Sequence, residues 1–178
     1  MSRISYLDDK TIPEESLSLV DKVRARRPEG KLLNLDKVLL YSEPVAAGWQ
    51  NMFSRLRNDL GISAKLRELI ILRIAILNNA GYEFEQHYPE AIKAGIELSQ
   101  IDALKLDIVP ASEFAHEELT ILDYTDAMTH QVQVADVVYN KLGEFFDSKQ
   151  IVEITALVAG YNMVSRFLEA IQITTIGE

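Results

Sequence analysis

The chain contains no cysteine among its 178 residues. A disulfide framework, a thiolate metal site and a cysteine nucleophile are therefore excluded, and the protein has no thiol of its own for redox chemistry. Basic residues are also few, because 18 Lys and Arg stand against 27 Asp and Glu and give a net charge of −9. Such a surface offers no positive field to nucleic acid or anionic lipid, so neither is expected as a partner.

Glycine, proline and aromatic residues are scarce as well, with 8 Gly, 5 Pro and 8% aromatics. This composition is typical of a helical globular protein and argues against disorder. The N-terminal segment lacks the apolar core of a secretory signal. The longest apolar run, 69–77, is interrupted by Arg73 and falls well short of the about 20 residues that a membrane span needs. A cytoplasmic protein without membrane association is therefore expected.

Apolar residues recur at three- and four-residue intervals along most of the chain, and this spacing predicts α-helices. No long segment alternates with period two, so no sheet is expected. Ser63 is the predicted N-cap of an almost wholly apolar helix, which is expected to be central and buried by neighbours or by another subunit. Pro89 is expected to kink or split the helix that follows. Ser99 and Asp102 resemble a capping box for a short helix after that.

The domain organisation follows from where this periodicity begins. Residues 1–30 are charged and aperiodic, and they are predicted to form an extended arm with a short helix from about Glu14 to Arg27. Residues 31–178 are predicted to form a single all-α bundle of about eight helices.

One pair of residues stands out as a candidate site. Glu83 precedes His87 by four positions, so both side chains project from one face of a helix. A carboxylate beside an imidazole stabilises the imidazolium and orients it, as a general acid/base histidine requires. Glu/His pairs at this spacing are also common as purely structural or surface pairs, and that alternative stays open.

The central helix adds two charges, Glu68 and Arg73. If the two helices form an antiparallel hairpin about Ala80, Arg73 is expected level with His87, and Glu68 a turn or more deeper. Each buried charge is expected to have a partner, since an unpaired one is costly; an ion pair at a subunit interface would also explain them. There is no His-x-x-x-His spacing, so no metal site is predicted, and no cofactor is expected.

Three segments carry a resemblance to a known family: Leu66–Arg73, Tyr82–Pro89 with Ala94–Gly95, and Ile151–Phe167. Together they resemble the carboxymuconolactone decarboxylase family, which includes AhpD-like alkylhydroperoxidases, over residues 40–175. The resemblance implies a single-domain AhpD-like helical bundle. It also implies assembly as a homo-oligomer, either a dimer, a trimer or a hexamer.

The resemblance also bears on activity. The AhpD-like branch carries a Cys-x-x-Cys-x-x-x-His motif with a glutamate upstream. Counted back from His87, Ala80 and Glu83 occupy the two cysteine positions, and Glu68 occupies the glutamate position. Because the thiolate is the nucleophile, peroxidase activity is not implied for this chain. The decarboxylase branch also lacks the cysteines and keeps Glu-x-x-x-His, which implies proton-transfer roles for Glu68, Glu83 and His87.

The first hypothesis is a cofactor-free lyase or isomerase that acts on a small carboxylated substrate. His87 is the candidate general acid/base, Glu83 orients and charges it, and Glu68 completes the proton relay. Arg73 and Tyr82 are the candidate substrate-binding residues, with Arg73 binding a substrate carboxylate.

Two other classes of function compete with this hypothesis. The same scaffold suits a non-catalytic oligomeric binding protein in which the Glu/His pair is merely structural. A redox protein that borrows thiols from a partner is disfavoured, because a partner cannot readily supply both sulfurs at the buried end of a helix.

Overall fold

The computed structural model describes residues 2–25, 27–131 and 133–177. The expected N-terminal arm with its short helix and the expected bundle extend over Met1, Arg26, Val132 and Glu178, which lie outside this range. The described residues form α-helices and short 3-10 helices, with no β-strand among them, which confirms the all-α prediction. The α-helices are α1 (Leu17–Arg24), α2 (Asn34–Leu39), α3 (Glu43–Asn58), α4 (Ala64–Leu77), α5 (Gly81–Lys93), α6 (Leu98–Ala103), α7 (His116–His130), α8 (Asp136–Leu142) and α9 (Ser148–Ile171).

Helix α4 is the centre of the bundle, as its nearly continuous apolar surface predicts. It packs against α5, α7 and α9, and its residues 69–75 are buried all round the helix. Ser63 is the N-cap, as expected, because its hydroxyl accepts a hydrogen bond from the Leu66 amide. Helices of the same chain therefore cover the apolar surface of α4 without a second subunit.

Helices α4 and α5 form a tight hairpin through Asn78, Asn79 and Ala80. Asn79 adopts a left-handed conformation with φ of 54°, which asparagine tolerates better than most residues. Helix α5 is continuous through Pro89, so the expected splitting of this helix does not occur. Pro89 is exposed, and the carbonyl that loses its amide partner one turn back can bond to water instead.

The short helix α6 begins two residues earlier than the Ser99 and Asp102 pattern predicts. Its first residue is Leu98, and the side chain of Gln100 accepts a hydrogen bond from the Glu97 amide at 3.2 Å. Ser99 therefore lies inside the helix and is not its cap. The sequence contained two overlapping cap patterns, and the structure uses the earlier one.

The short helix predicted in the N-terminal arm corresponds to α1, Leu17–Arg24, and the arm packs against the bundle. Val20 and Val23 of α1 are buried in the common core. The Arg3 amide donates to the Ile171 carbonyl at 2.8 Å, and the Tyr6 hydroxyl donates to the Thr174 carbonyl at 3.3 Å. The arm thus connects the beginning of the described chain to the end of α9.

Helix α9 is long and apolar enough, by length and composition alone, to cross a membrane. Core helices of soluble proteins meet the same two criteria. Its residues Ile154, Leu157 and Val158 have no exposed surface, and it packs against α3, α4, α5 and α7. In this fold α9 is therefore a core helix, and it carries Tyr161 to the cavity described below.

Candidate functional site

Three titratable side chains from α4 and α5 meet at one buried point. His87 Nδ1 lies 2.8 Å from Glu68 Oε2, and His87 Nε2 lies 3.2 Å from Glu83 Oε1. All three side chains are largely buried, with 10%, 13% and 6% exposure for His87, Glu68 and Glu83. Glu83 and His87 thus share one helix face as predicted, whereas Glu68, which was expected a turn or more deeper, contacts the imidazole directly.

The two carboxylates determine the charge of His87. Burial alone lowers the pKa of this imidazole, but the hydrogen bonds and negative charges of Glu68 and Glu83 outweigh burial and raise the pKa to about 9. At neutral pH His87 is therefore an imidazolium that donates both ring N–H groups to carboxylates. The group can release a proton to a strong carbon base and recover it afterwards.

The cluster lies on the wall of a cavity of about 610 Å3. Glu68, Glu83 and His87 all line it, and Tyr82 lines it from the first turn of α5. The aromatic part of the wall includes Tyr161, whose ring packs edge-to-face against His87 with centroids 5.4 Å apart. A space of this size suits a small organic molecule.

Four basic side chains also line this cavity, and two of them are neutralised within the chain. Arg27 is paired with Asp36 at 3.0 Å, and Lys93 is paired with Glu90. The other two are Arg57, at the end of α3, and Arg67, in the first turn of α4. Neither has a carboxylate partner among the residues that the structure describes. The Arg67 guanidinium donates to the Ile62 carbonyl at 2.9 Å.

Arg73 does not belong to this cluster, contrary to the expected convergence. Its guanidinium donates to both carboxylate oxygens of Asp126 on α7, at 2.7 and 2.5 Å. It also donates to the carbonyls of Leu104 and Leu106, and it does not line the cavity. The expectation that Arg73 has a charged partner is thus met, but the partner is a residue that the sequence pattern did not indicate.

The reason lies in helix geometry. Glu68 and Arg73 are five residues apart, which places them about 140° apart around α4. One side chain therefore faces α5 while the other faces α7. Equal depth along two paired helices does not bring two side chains together when they point in different directions around the helix axis.

Sequence reasoning missed Arg57 and Tyr161, which come to the cavity from α3 and α9. No short motif contains either residue together with His87. A weak signal was present for Tyr161 only, as a polar atom on the buried stripe of α9.

Within the described parts of the chain, no group of three or more His, Asp or Glu side chains is arranged to hold a metal ion.

Among known protein families, the carboxymuconolactone decarboxylase family has a sequence model that matches residues 43–127. No curated protein matches the chain.

Several solved structures share the fold. An uncharacterized peroxidase-related protein from Silicibacter sp. TM1040 is 16% identical with a TM-score of 0.82, over 99% of this chain and 92% of that one. An AhpD core protein from Ralstonia eutropha JMP134, also described as peroxidase-related, is 16% identical with a TM-score of 0.81, over 99% and 93%. The debrominase Bmp8, as a variant in complex with 2,3,4-tribromopyrrole, is 15% identical with a TM-score of 0.79, over 99% and 95%. At these identities the likeness shows the fold alone.

Proposed function

We propose that this chain, which belongs to the carboxymuconolactone decarboxylase family through residues 43–127 and has an AhpD-like fold, is a cofactor-free lyase or isomerase. Its substrate is a small carboxylated molecule. The observation that carries the proposal is the buried imidazolium of His87, held between two carboxylates on the wall of a cavity. A surface pair would lack both the burial and the adjoining cavity.

His87 is the general acid in this proposal. As the bond to the departing carboxylate breaks, its electron pair passes into the remaining carbon skeleton, and CO2 leaves. His87 then donates a proton to the reacting carbon. Nε2 is the donating atom, because its 3.2 Å contact with Glu83 is longer than the 2.8 Å contact between Nδ1 and Glu68. The hydrogen bond to Glu68 keeps the His87 ring in its orientation while water returns a proton to Nε2. An isomerase uses the same proton transfer without loss of CO2.

The cavity supports the substrate class. Decarboxylation is favoured when the carboxylate is desolvated and the developing charge is stabilised. Arg57 and Arg67 replace Arg73 as the cations that bind substrate anions, because they line the cavity and have no carboxylate partner among the described residues. Tyr82 retains its proposed contact with the substrate, since it lines the cavity beside Glu83.

A non-catalytic binding protein on the same scaffold is the alternative function. It requires the same cavity but no proton transfer. A thiol-dependent redox function is the least supported, since the chain has no cysteine. The purified protein is accordingly expected to reduce no alkyl hydroperoxide, with or without an added thiol. We further propose that the protein is a cytoplasmic homo-oligomer.

The experiment is a screen of unsaturated lactone acids and β-keto acids for CO2 release, with deuterium exchange from solvent as the readout for isomerisation. For any substrate found, His87→Gln is expected to lower kcat by about 100-fold or more with the fold intact. His116→Gln, at an exposed histidine of α7, is the matched control. Turnover by His87→Gln equal to that of the wild type would refute the role of His87. Saturable ligand binding without turnover would favour the binding protein.

A further inference from the structure

The Tyr161 hydroxyl is buried and makes no hydrogen bond of ordinary geometry among the described residues. Tyr161 is 1% exposed, and its oxygen has no hydrogen bond that meets both distance and angle criteria among the described residues. Tyr124, which is also buried at 3% exposure, shows the usual situation, since its hydroxyl pairs with the Thr155 hydroxyl at 2.9 Å. An unsatisfied buried hydroxyl is costly and uncommon, so it calls for an explanation.

The position of Tyr161 connects it with the candidate site. Its ring packs edge-to-face against Phe53 at 5.7 Å and against His87 at 5.4 Å, and these contacts hold it in one orientation. All three side chains line the same cavity. Ser16, whose hydroxyl is also buried without a partner, does not line this cavity.

Arg57 is the charged group beside this hydroxyl. Burial raises the pKa of Tyr161, and the charges of Glu83 and Glu68 raise it further, whereas the Arg57 guanidinium lowers it through its charge and through a hydrogen bond to the phenol oxygen. The effects of burial and of the carboxylates outweigh that of Arg57, so the pKa of Tyr161 is raised. The phenol therefore keeps its proton and remains a hydrogen-bond donor. Arg57 is half-buried, lines the cavity and has no carboxylate partner among the described residues. The guanidinium and the phenol thus lie together beside the imidazolium, and neither has a carboxylate partner among the described residues.

We infer that the Tyr161 hydroxyl and the Arg57 guanidinium form an oxyanion site for a substrate oxygen on which negative charge develops. This inference rests on the proposed function and assigns Arg57 to the reacting end of the substrate. Arg67 is then left for the anchoring carboxylate.

The site defines the substrate class more narrowly. The reacting carbon must be conjugated with a carbonyl group, as in a β-keto acid or its unsaturated analogue. When the carbon–carbon bond to the carboxylate breaks, its electron pair moves to the carbonyl oxygen and forms an enolate held by Tyr161 and Arg57. Proton transfer from His87 to carbon then restores the carbonyl, so the charge balances without a redox partner. Such fixed donors stabilise the transition state more than the ground state.

The test measures binding of an inert oxyanion, 4-nitrophenolate, by titration at a pH where the probe is ionised. Wild-type protein is expected to bind it saturably. Tyr161→Phe and Arg57→Gln are each expected to weaken binding by about tenfold or more, because each removes one donor to a charged oxygen. The affinity of Arg57→Lys for the probe is expected to lie between those of the wild type and Arg57→Gln, since lysine keeps the positive charge but lacks the planar guanidinium with its paired N–H donors. Tyr124→Phe is the matched control and is expected to bind as the wild type does.

Thermal melting supplies the second readout. Tyr161→Phe is expected to leave the melting temperature unchanged or higher, whereas Tyr124→Phe lowers it by breaking a formed hydrogen bond. A melting temperature lowered by Tyr161→Phe as much as by Tyr124→Phe would overturn the inference, because Tyr161 would then have a structural partner. The inference would also be overturned if Tyr161→Phe bound 4-nitrophenolate with an affinity within twofold of that of the wild type. The same holds if the wild type itself showed no saturable binding. Binding that needs both donors, in a protein without turnover on any acid, would refute the proposed function and support the oxyanion site.

Discussion

Glu68 Oε2 on α4 lies 2.8 Å from His87 Nδ1 on α5, across 19 positions of sequence. The contact joins two helices that pack against each other as a hairpin. Glu83 reaches the other ring nitrogen from within α5. The ring is thus fixed from two sides, and its orientation does not depend on a mobile loop.

The two carboxylates are expected to contribute unequally to the pKa of His87. Glu68→Gln and Glu83→Gln should each lower this pKa from about 9, and Glu68→Gln more strongly, because its contact is shorter and its hydrogen bond is the largest single cause of the rise. NMR titration of the histidine rings measures the shift, with His87 assigned from the spectrum of His87→Gln. Glu90→Gln, at an exposed residue of the same cavity wall, is the control. A His87 pKa unchanged in both variants would contradict the geometry.

Stability is expected to depend on pH through His87. Its pKa in the folded protein, about 9, lies above the ordinary value of 6.5, so folding favours the protonated ring. This contribution is complete below about pH 6.5 and is lost as the pH rises through about 9. It amounts to about 3 kcal/mol.

The measurement compares urea unfolding of the wild type and His87→Gln across this pH range. Other groups also titrate at high pH, and the variant corrects for them. The wild type should lose more free energy of unfolding than the variant between the two limits. Parallel pH profiles for the two proteins would show that His87 is not stabilised as an imidazolium.

Arg73 is expected to be structural. Its side chain is 1% exposed and is bound on both edges by Asp126 and loop carbonyls. Asp126→Ala leaves a buried guanidinium without its counter-charge and should cost about 3–5 kcal/mol of unfolding free energy. Asp59→Ala removes the carboxylate of an exposed pair with Arg55 and should cost less than about 1 kcal/mol. Equal costs, or loss of 4-nitrophenolate binding by folded Asp126→Ala, would contradict this role.

Oligomerisation is expected to use the outer face of α9. Val152 and Met163 on this helix are 67% and 44% exposed, and apolar surface of this kind marks an interface between copies. Light scattering at micromolar concentration should give a multiple of the 20.1 kDa chain mass. Val152→Glu should lower that mass, whereas Ile108→Glu, on an exposed loop, should not. A mass near 20.1 kDa for the wild type would contradict the expectation.

Local periodicity predicted most of the fold because helices depend on residues close in sequence. The N-cap at Ser63 and the central position of α4 both follow from short-range patterns and are confirmed. The splitting expected at Pro89 does not occur, because that effect depends on whether water can reach the carbonyl one turn earlier. The overlapping caps at α6 were misjudged because the two patterns differ by only two residues.

The sequence by itself determined that the chain is all-α, that it lacks thiol chemistry and that Glu83 and His87 share a helix face. These properties depend on composition and on spacing within one helix. Only the tertiary structure decided that Glu68 contacts His87 while Arg73 turns toward Asp126, and that Arg57 and Tyr161 border the same cavity. Those contacts depend on the rotation of each helix about its axis and on the packing of α3, α4, α5 and α9. That packing minimises the energy of the whole core and leaves no mark in any short stretch of residues.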